Sequence, residues 1–232
     1  MKKSLPLTAM ALLLSACAST PAPPEWQSQA FAALGSYTSA YLNGNSRVAD
    51  LEFARAQAEI ARTGRPDLMA RVELLRCATQ VASLDLTPCA GYQTLAGDAP
   101  LAEQAYASFI SGKWRGLDAA QLPRQYQALV QQTQTQAAKN DGAVAMATTP
   151  GHSKLHQIQD PLARLVAAGA LIQREPLAIT DIDLAVETAS SQGWRRPLLA
   201  WLGVQLKHMQ TAGKQDGAAG VQRRIDIVLQ KH

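Results

Sequence analysis

From residue 25 onward, apolar residues recur at three- and four-residue spacing in nearly every segment, and Gly or Pro interrupts the pattern at short intervals. That spacing matches one face of an α-helix and not the alternation of a strand. The 232 residues include 42 Ala and 22 Gln but only 12 aromatics, which strengthens the case for helices and weakens it for a β-sandwich. An apolar fraction of 47% excludes a wholly disordered chain.

Read in order, the pattern predicts about eight or nine helices. In 25–42, Trp26, Ala30, Ala33 and Tyr37 form one stripe and Phe31, Leu34 and Tyr41 a second, with Gly44 as the stop. In 46–63, Ser46 is the expected N-cap and Gly64 the stop. Val48, Leu51, Ala54, Ala58 and Ala61 form one stripe there, Phe53 and Ile60 another. Two stripes on one helix predict packing from two sides. A third helix starts near Pro66-Asp67 and carries Leu68, Val72 and Leu75, with Arg71 and Arg76 outward.

Asp98 is expected to cap a helix through Leu101, Tyr106 and Phe109. Asp118 opens the next, with Pro123 early in it and Tyr126, Leu129 and Val130 beyond. Asp160-Pro161 is a cap followed by Pro at the first helical position, leading Leu162, Leu165, Val166, Gly169 and Ile172. Thr180 and Asp183 have capping-box spacing, and Ile179 and Leu184 that of the accompanying staple. Gly193 ends that helix, and Gly213 separates one bearing Leu198, Trp201 and Leu202 from a last one bearing Val221, Ile225 and Val228.

Short links between such helices give an all-α, irregular stack of antiparallel helices, an αα-hairpin array or bundle spanning 25–232. The segment 139–151 has the strongest loop composition and either divides this domain or forms one long loop within it. Ala54, Ala61 and Pro66 resemble the second helix of a tetratricopeptide repeat. The first-helix signature is missing and only Pro100 recurs 34 residues on, so the resemblance is degenerate and an irregular stack is favoured.

The N-terminus carries a different kind of signal. Lys2 and Lys3 precede a short apolar stretch, Leu5 to Leu14, about half the length a membrane span requires. Leu14-Ser15-Ala16-Cys17 resembles the lipobox of bacterial lipoproteins. The resemblance implies a signal peptide over 1–16, cleavage before Cys17, and lipidation of Cys17 by diacylglyceryl transfer to its thiolate. Two or three acyl chains anchor stably where one does not. By resemblance to sorted lipoproteins, Ala18 in place of Asp implies the outer membrane, facing the periplasm. Residues 17–24 then form an acylated, proline-rich tether.

Cys77 and Cys89 remain, twelve apart. In an oxidising envelope compartment an even pair suits a structural disulfide, and no neighbouring ligands suit a metal.

Catalytic motifs are missing: the chain has no Gly-x-Ser-x-Gly, Ser-x-x-Lys, His-Glu-x-x-His, Walker-type loop or Gly-x-Gly-x-x-Gly. No cofactor is implied. His152 and His156 would share a face at i, i+4 if helical, but Gly151 precedes them, so a solvated loop pair is expected over a metal site. His208 and His232 have no evident partner. Glu52 and Glu59 lie two turns apart on one face. Arg55 and Arg62 stand three residues after each, which makes a surface charge face the expected reading over glycosidase chemistry.

Without residues 1–16, the chain has 20 basic and 18 acidic residues, about +2, which gives no case for nucleic acid. The last 38 residues hold seven Arg or Lys against two Asp, and Arg195, Arg196, Arg223 and Arg224 form the candidate face for an anionic partner. Trp114 and Trp194, beside Arg115 and Arg195, are expected at core edges. The leading expectation is a non-enzymatic, outer-membrane-anchored lipoprotein that binds another envelope protein. A cell-wall glycan enzyme or its activator is the alternative, and a lipid-carrying module a further one.

Overall fold

The computed structural model describes residues 22–140 and 153–230, and every regular element among them is helical. Ten α-helices follow in order: α1 (Glu25–Leu42), α2 (Ser46–Ala61), α3 (Pro66–Ala82), the single turn α4 (Ala90–Gln93) and α5 (Leu101–Ile110). Then come α6 (Arg124–Asn140), α7 (Pro161–Leu171), α8 (Ile179–Ser191), α9 (Arg195–Thr211) and α10 (Gln215–Val228). Short 3-10 turns at Ala119–Gln121 and Lys154–Gln157 flank α6.

Helices α1 and α2 pair as a tight hairpin, while α7, α8, α9 and α10 each pack on the next. Helix α3 is the spine, touching α1, α2, α5 and α7. A small core of Ala30, Tyr37, Tyr41, Ala49, Phe53, Ile60 and Val72 holds the hairpin to α3. The main core runs from Ala70 to Val221 and joins residues on both sides of 141–152, among them Leu129, Val130, Leu155 and Leu165. The described residues flanking that segment therefore share one core.

The local signals resolve unevenly. Gly44 (φ 86°) and Gly193 (φ 66°) turn the chain out of their helices as expected, and Asp160 Oδ1 accepts from Ala163 N at 2.7 Å with Pro161 opening α7. Other starts shift. Asn45 caps α2, its Oδ1 accepting from Val48 N at 3.3 Å, so Ser46 is already helical. Pro100 precedes α5, leaving Asp98 outside it. Asp118 caps only the 3-10 turn, and α6 waits until after Pro123. The capping box at Thr180 does not form: Ala178 is the N-cap, and Asp183 accepts from Gln205 instead. With Leu177 buried just before it, the helix begins two residues too early for Thr180 to cap.

The two-stripe reading of the hairpin also needs correction. On α2 only Ala49, Phe53, Ala56 and Ile60 are buried, while Leu51, Ala54, Ala58 and Ala61 face solvent. On α1, Phe31 leaves the second stripe for solvent. Alanine favours a helix whether inside or out, so a row of alanines does not report burial.

Cys77 and Cys89 are bridged, with Cα atoms 5.8 Å apart, tying the end of α3 to α4. Replacing both by serine is expected to cost about 2–3 kcal/mol, as a chain-entropy loss over this short loop predicts. A urea-denaturation midpoint equal to that of the parent would show the bridge contributes nothing.

Candidate functional site

A cleft of about 590 Å³ opens between α3, α5, α7 and the start of α6. Leu74, Leu75 and Ala78 come from α3, Tyr106 from α5, Leu122 and Tyr126 from either side of Pro123, and Leu162 and Val166 from α7. All but Leu122, which lies in extended backbone after the 3-10 turn, belong to helices, and their apolar faces converge because α3 packs on both α5 and α7. The volume lies within the roughly 300–1,000 Å³ typical of ligand sites.

Aromatic rings back one wall. Tyr106 and Tyr126 have centroids 5.9 Å apart, Tyr126 lies 4.5 Å from Phe109, and Phe109 stacks on Trp114 at 5.3 Å. The Trp114 indole donates to Phe109 O at 2.8 Å, and Arg174 covers its ring at 4.9 Å. Burial pushes the Tyr106 phenol far up and Tyr126 to about 12, with the Tyr106 hydroxyl bonded to that of Tyr126. Both phenols are therefore neutral at physiological pH and line the cleft as weakly polar surface.

The rim is polar. Arg71 Nε donates to Glu103 Oε1 at 2.8 Å, and its Nη2 reaches the same oxygen. Gln121, Gln125 and Asp160 complete the mouth, Asp160 with one oxygen committed to capping α7. The arrangement suits an apolar group held below a ring of hydrogen-bonding side chains. Those side chains supply both donors and acceptors, as a peptide backbone requires.

The residues singled out from sequence do not gather here. Cys17, His152 and His232 lie outside the described residues. His156 is exposed, its Nδ1 3.1 Å from Ser153 O, and His208 sits half-buried on α9. No group of three metal-ligating side chains occurs among the described residues. Arg62 donates to Glu59 at 3.1 Å, as expected, whereas Glu52 is half-buried and stands 3.9 Å from Arg55, beyond hydrogen-bond range; neither carboxylate lines the cleft. Trp114 is fully buried and Trp194 half-buried against the main core, so both serve packing.

Arg195, Arg223 and Arg224 are exposed, but Arg196 is not a free cation on that face. Its Nε donates to Tyr41 O and its Nη2 to Ser46 Oγ, both at 2.7 Å, and its guanidinium covers the Tyr41 ring at 4.2 Å. It clamps α9 onto the α1–α2 turn. Sequence reasoning placed Tyr106 and Tyr126 in apolar stripes and Arg71 outward, but nothing local shows that they converge. No family model, no curated protein and no solved structure matches this chain.

Proposed function

We propose that the protein is an outer-membrane-anchored periplasmic lipoprotein, without catalytic activity of its own, that holds an apolar segment of another envelope protein in the α3–α5–α6–α7 cleft. The observation that carries this reading is the cleft itself, apolar and aromatic within and ringed by Arg71, Gln121, Gln125 and Asp160. The Leu14-Ser15-Ala16-Cys17 motif and the proline-rich tether supply the anchor. The glycan-enzyme alternative draws less support, because Glu59 is hydrogen-bonded to Arg62 and neither it nor Glu52 lines the cleft.

A photoreactive residue at Gln125, on the rim, tests the proposal in intact envelopes against the same residue at exposed Gln192. One dominant protein adduct is expected from position 125 and none from 192. Ala102→Trp, which fills the mouth from the exposed side of α5, is expected to reduce that adduct about tenfold, and Cys17→Ala to remove it from the membrane fraction. Adducts to lipid alone would replace the adaptor with the lipid-carrying module, and adducts to glycan strands alone with the cell-wall reading.

A further inference from the structure

We infer that a second cavity, on the other side of α5 from the cleft, is a saccharide site that takes a sugar ring carrying a carboxylate. It holds about 460 Å³ between α3, α4 and α5, within the range of small-molecule sites. Along α5, Ala102, Glu103 and Tyr106 turn to the cleft already described. Gln104, Ser108 and Ser111, at helical spacing i, i+4 and i+7, turn to this cavity instead. Helix α5 thus partitions the two, and the saccharide site stands whether or not the cleft holds a protein segment. Val81, Ile110 and the Cys77–Cys89 bridge supply its apolar wall, and Tyr92 an aromatic surface.

The hydrogen-bonding groups of the wall select the ligand. Ser108 Oγ donates to Gln104 O at 3.1 Å, Ser111 Oγ to Ala107 O at 2.8 Å, and Thr87 Oγ1 to Asp85 Oδ1 at 2.9 Å. Gln173 Nε2 commits both hydrogens, to Ile110 O and Gly169 O, each at 2.9 Å. Gln104 Nε2 donates to Ala99 O at 2.7 Å. Each of these side chains keeps an oxygen with open lone pairs, and no donor among the described residues reaches any of them. Among the described residues lining the cavity, Lys113 is the one cation and no Asp or Glu occurs. Gly112, at φ 69°, turns the chain there, and Lys113 N donates to Ser108 O at 2.9 Å, which fixes Lys113 at the end of the α5 row.

Acceptors beside a single ammonium suit a ligand dense in hydroxyl donors that also carries an anion. An extended peptide would leave most of its carbonyls unmatched, because a backbone brings one acceptor with every donor. An acyl chain would cover the oxygens without satisfying them. A cationic ligand would be repelled by Lys113. A sugar acid meets every condition: ring hydroxyls donate to the α5 row, the carboxylate pairs with the Lys113 ammonium, and a C–H face covers Tyr92.

The test is saturation-transfer NMR on the full chain in detergent micelles, with glucuronic acid and N-acetylmuramic acid titrated against N-acetylglucosamine as the neutral counterpart. Transfer to at least one acid is expected, with a Kd about fivefold below that of the neutral sugar. Which acid binds more tightly tells a uronic from a lactyl carboxylate. Ser108→Ala combined with Ser111→Ala removes two acceptors and is expected to raise the Kd of that acid about tenfold. Alanine is the better helix former at both positions, so α5 persists, and a urea midpoint no lower than the parent's checks it. Lys113→Gln is expected to abolish the preference for acid over neutral sugar and to leave the neutral sugar's Kd in place. No transfer to any of the three sugars overturns the inference, as does binding indifferent to the serine pair or an acid preference that survives Lys113→Gln. Tighter binding of glycerol 1-phosphate than of either acid also overturns it, and would make the cavity a lipid-headgroup site.

Discussion

Gly169→Ala is expected to lower the unfolding free energy by about 3 kcal/mol, although the same change at Gly203 is expected to raise it by about 0.5–1 kcal/mol. Both glycines lie inside helices, where alanine is intrinsically preferred. A Cβ on Gly203 meets nothing within 4 Å, so only the propensity gain remains. A Cβ on Gly169 would stand 2.2 Å from the Val81 carbonyl oxygen and 2.9 Å from Val81 Cγ1. The obstacle is backbone of the spine helix, which cannot rotate aside as a side chain would. That carbonyl also accepts from Leu84 N at 3.0 Å, so moving it disturbs the end of α3 as well. To admit one methyl, α7 and α3 must separate, and the alanines buried on α7, among them Ala163, Ala167 and Ala170, lose their packing together. Urea-denaturation midpoints of the two variants and the parent give the comparison. A Gly169→Ala protein as stable as the parent would mean that the two helices do not cross this closely.

The opposite signs expected at two helical glycines mark where sequence reasoning stops. The spacing of Leu162, Leu165, Val166 and Gly169 was enough to place Gly169 on the inner face of a helix capped by Asp160. It could not reveal that the opposing surface is a carbonyl 88 positions earlier in the chain. The same limit applies to the cleft. Arg71, Tyr106, Tyr126 and Val166 each have a local reading, outward or inward, yet the site exists only because α5, α6 and α7 assemble around α3. Arg196 shows the limit for charge. Beside Arg195 it looks like part of a basic face, but its partners, Tyr41 and Ser46, are about 150 residues distant and carry no local signature. What survives best is local: the all-helical class, most glycine stops, and the pairing of Cys77 with Cys89 across a short turn. Caps fail by one or two residues, as at Asn45 in place of Ser46 and at Ala178 in place of Thr180, where Leu177 is buried just ahead of α8.

Trp201→Ala is expected to be the most damaging of the substitutions considered, at about 3–5 kcal/mol. Trp201 has no exposed surface, and its indole nitrogen donates to Ala82 O at 3.1 Å, joining the middle of α9 to the last turn of α3. Carbonyls in a last turn lack partners within their own helix, and this one is buried beneath the indole. Truncation therefore combines a large cavity with an unsatisfied acceptor. Trp201→Phe separates the two effects, since it keeps most of the apolar volume and removes the donor, and about 1–3 kcal/mol is expected for it. The damage should also spread. Five residues before Trp201 on the same helix, Arg196 clamps the α1–α2 turn, so α9 is a second link, beside α3, between the main core and the hairpin core. With α9 loosened, amide exchange across 41–46 should accelerate in Trp201→Ala while exchange in the middle of α7 changes far less. Uniform acceleration in both places would mean that the two cores unfold as one cooperative unit, and that Arg196 transmits nothing beyond its own contacts.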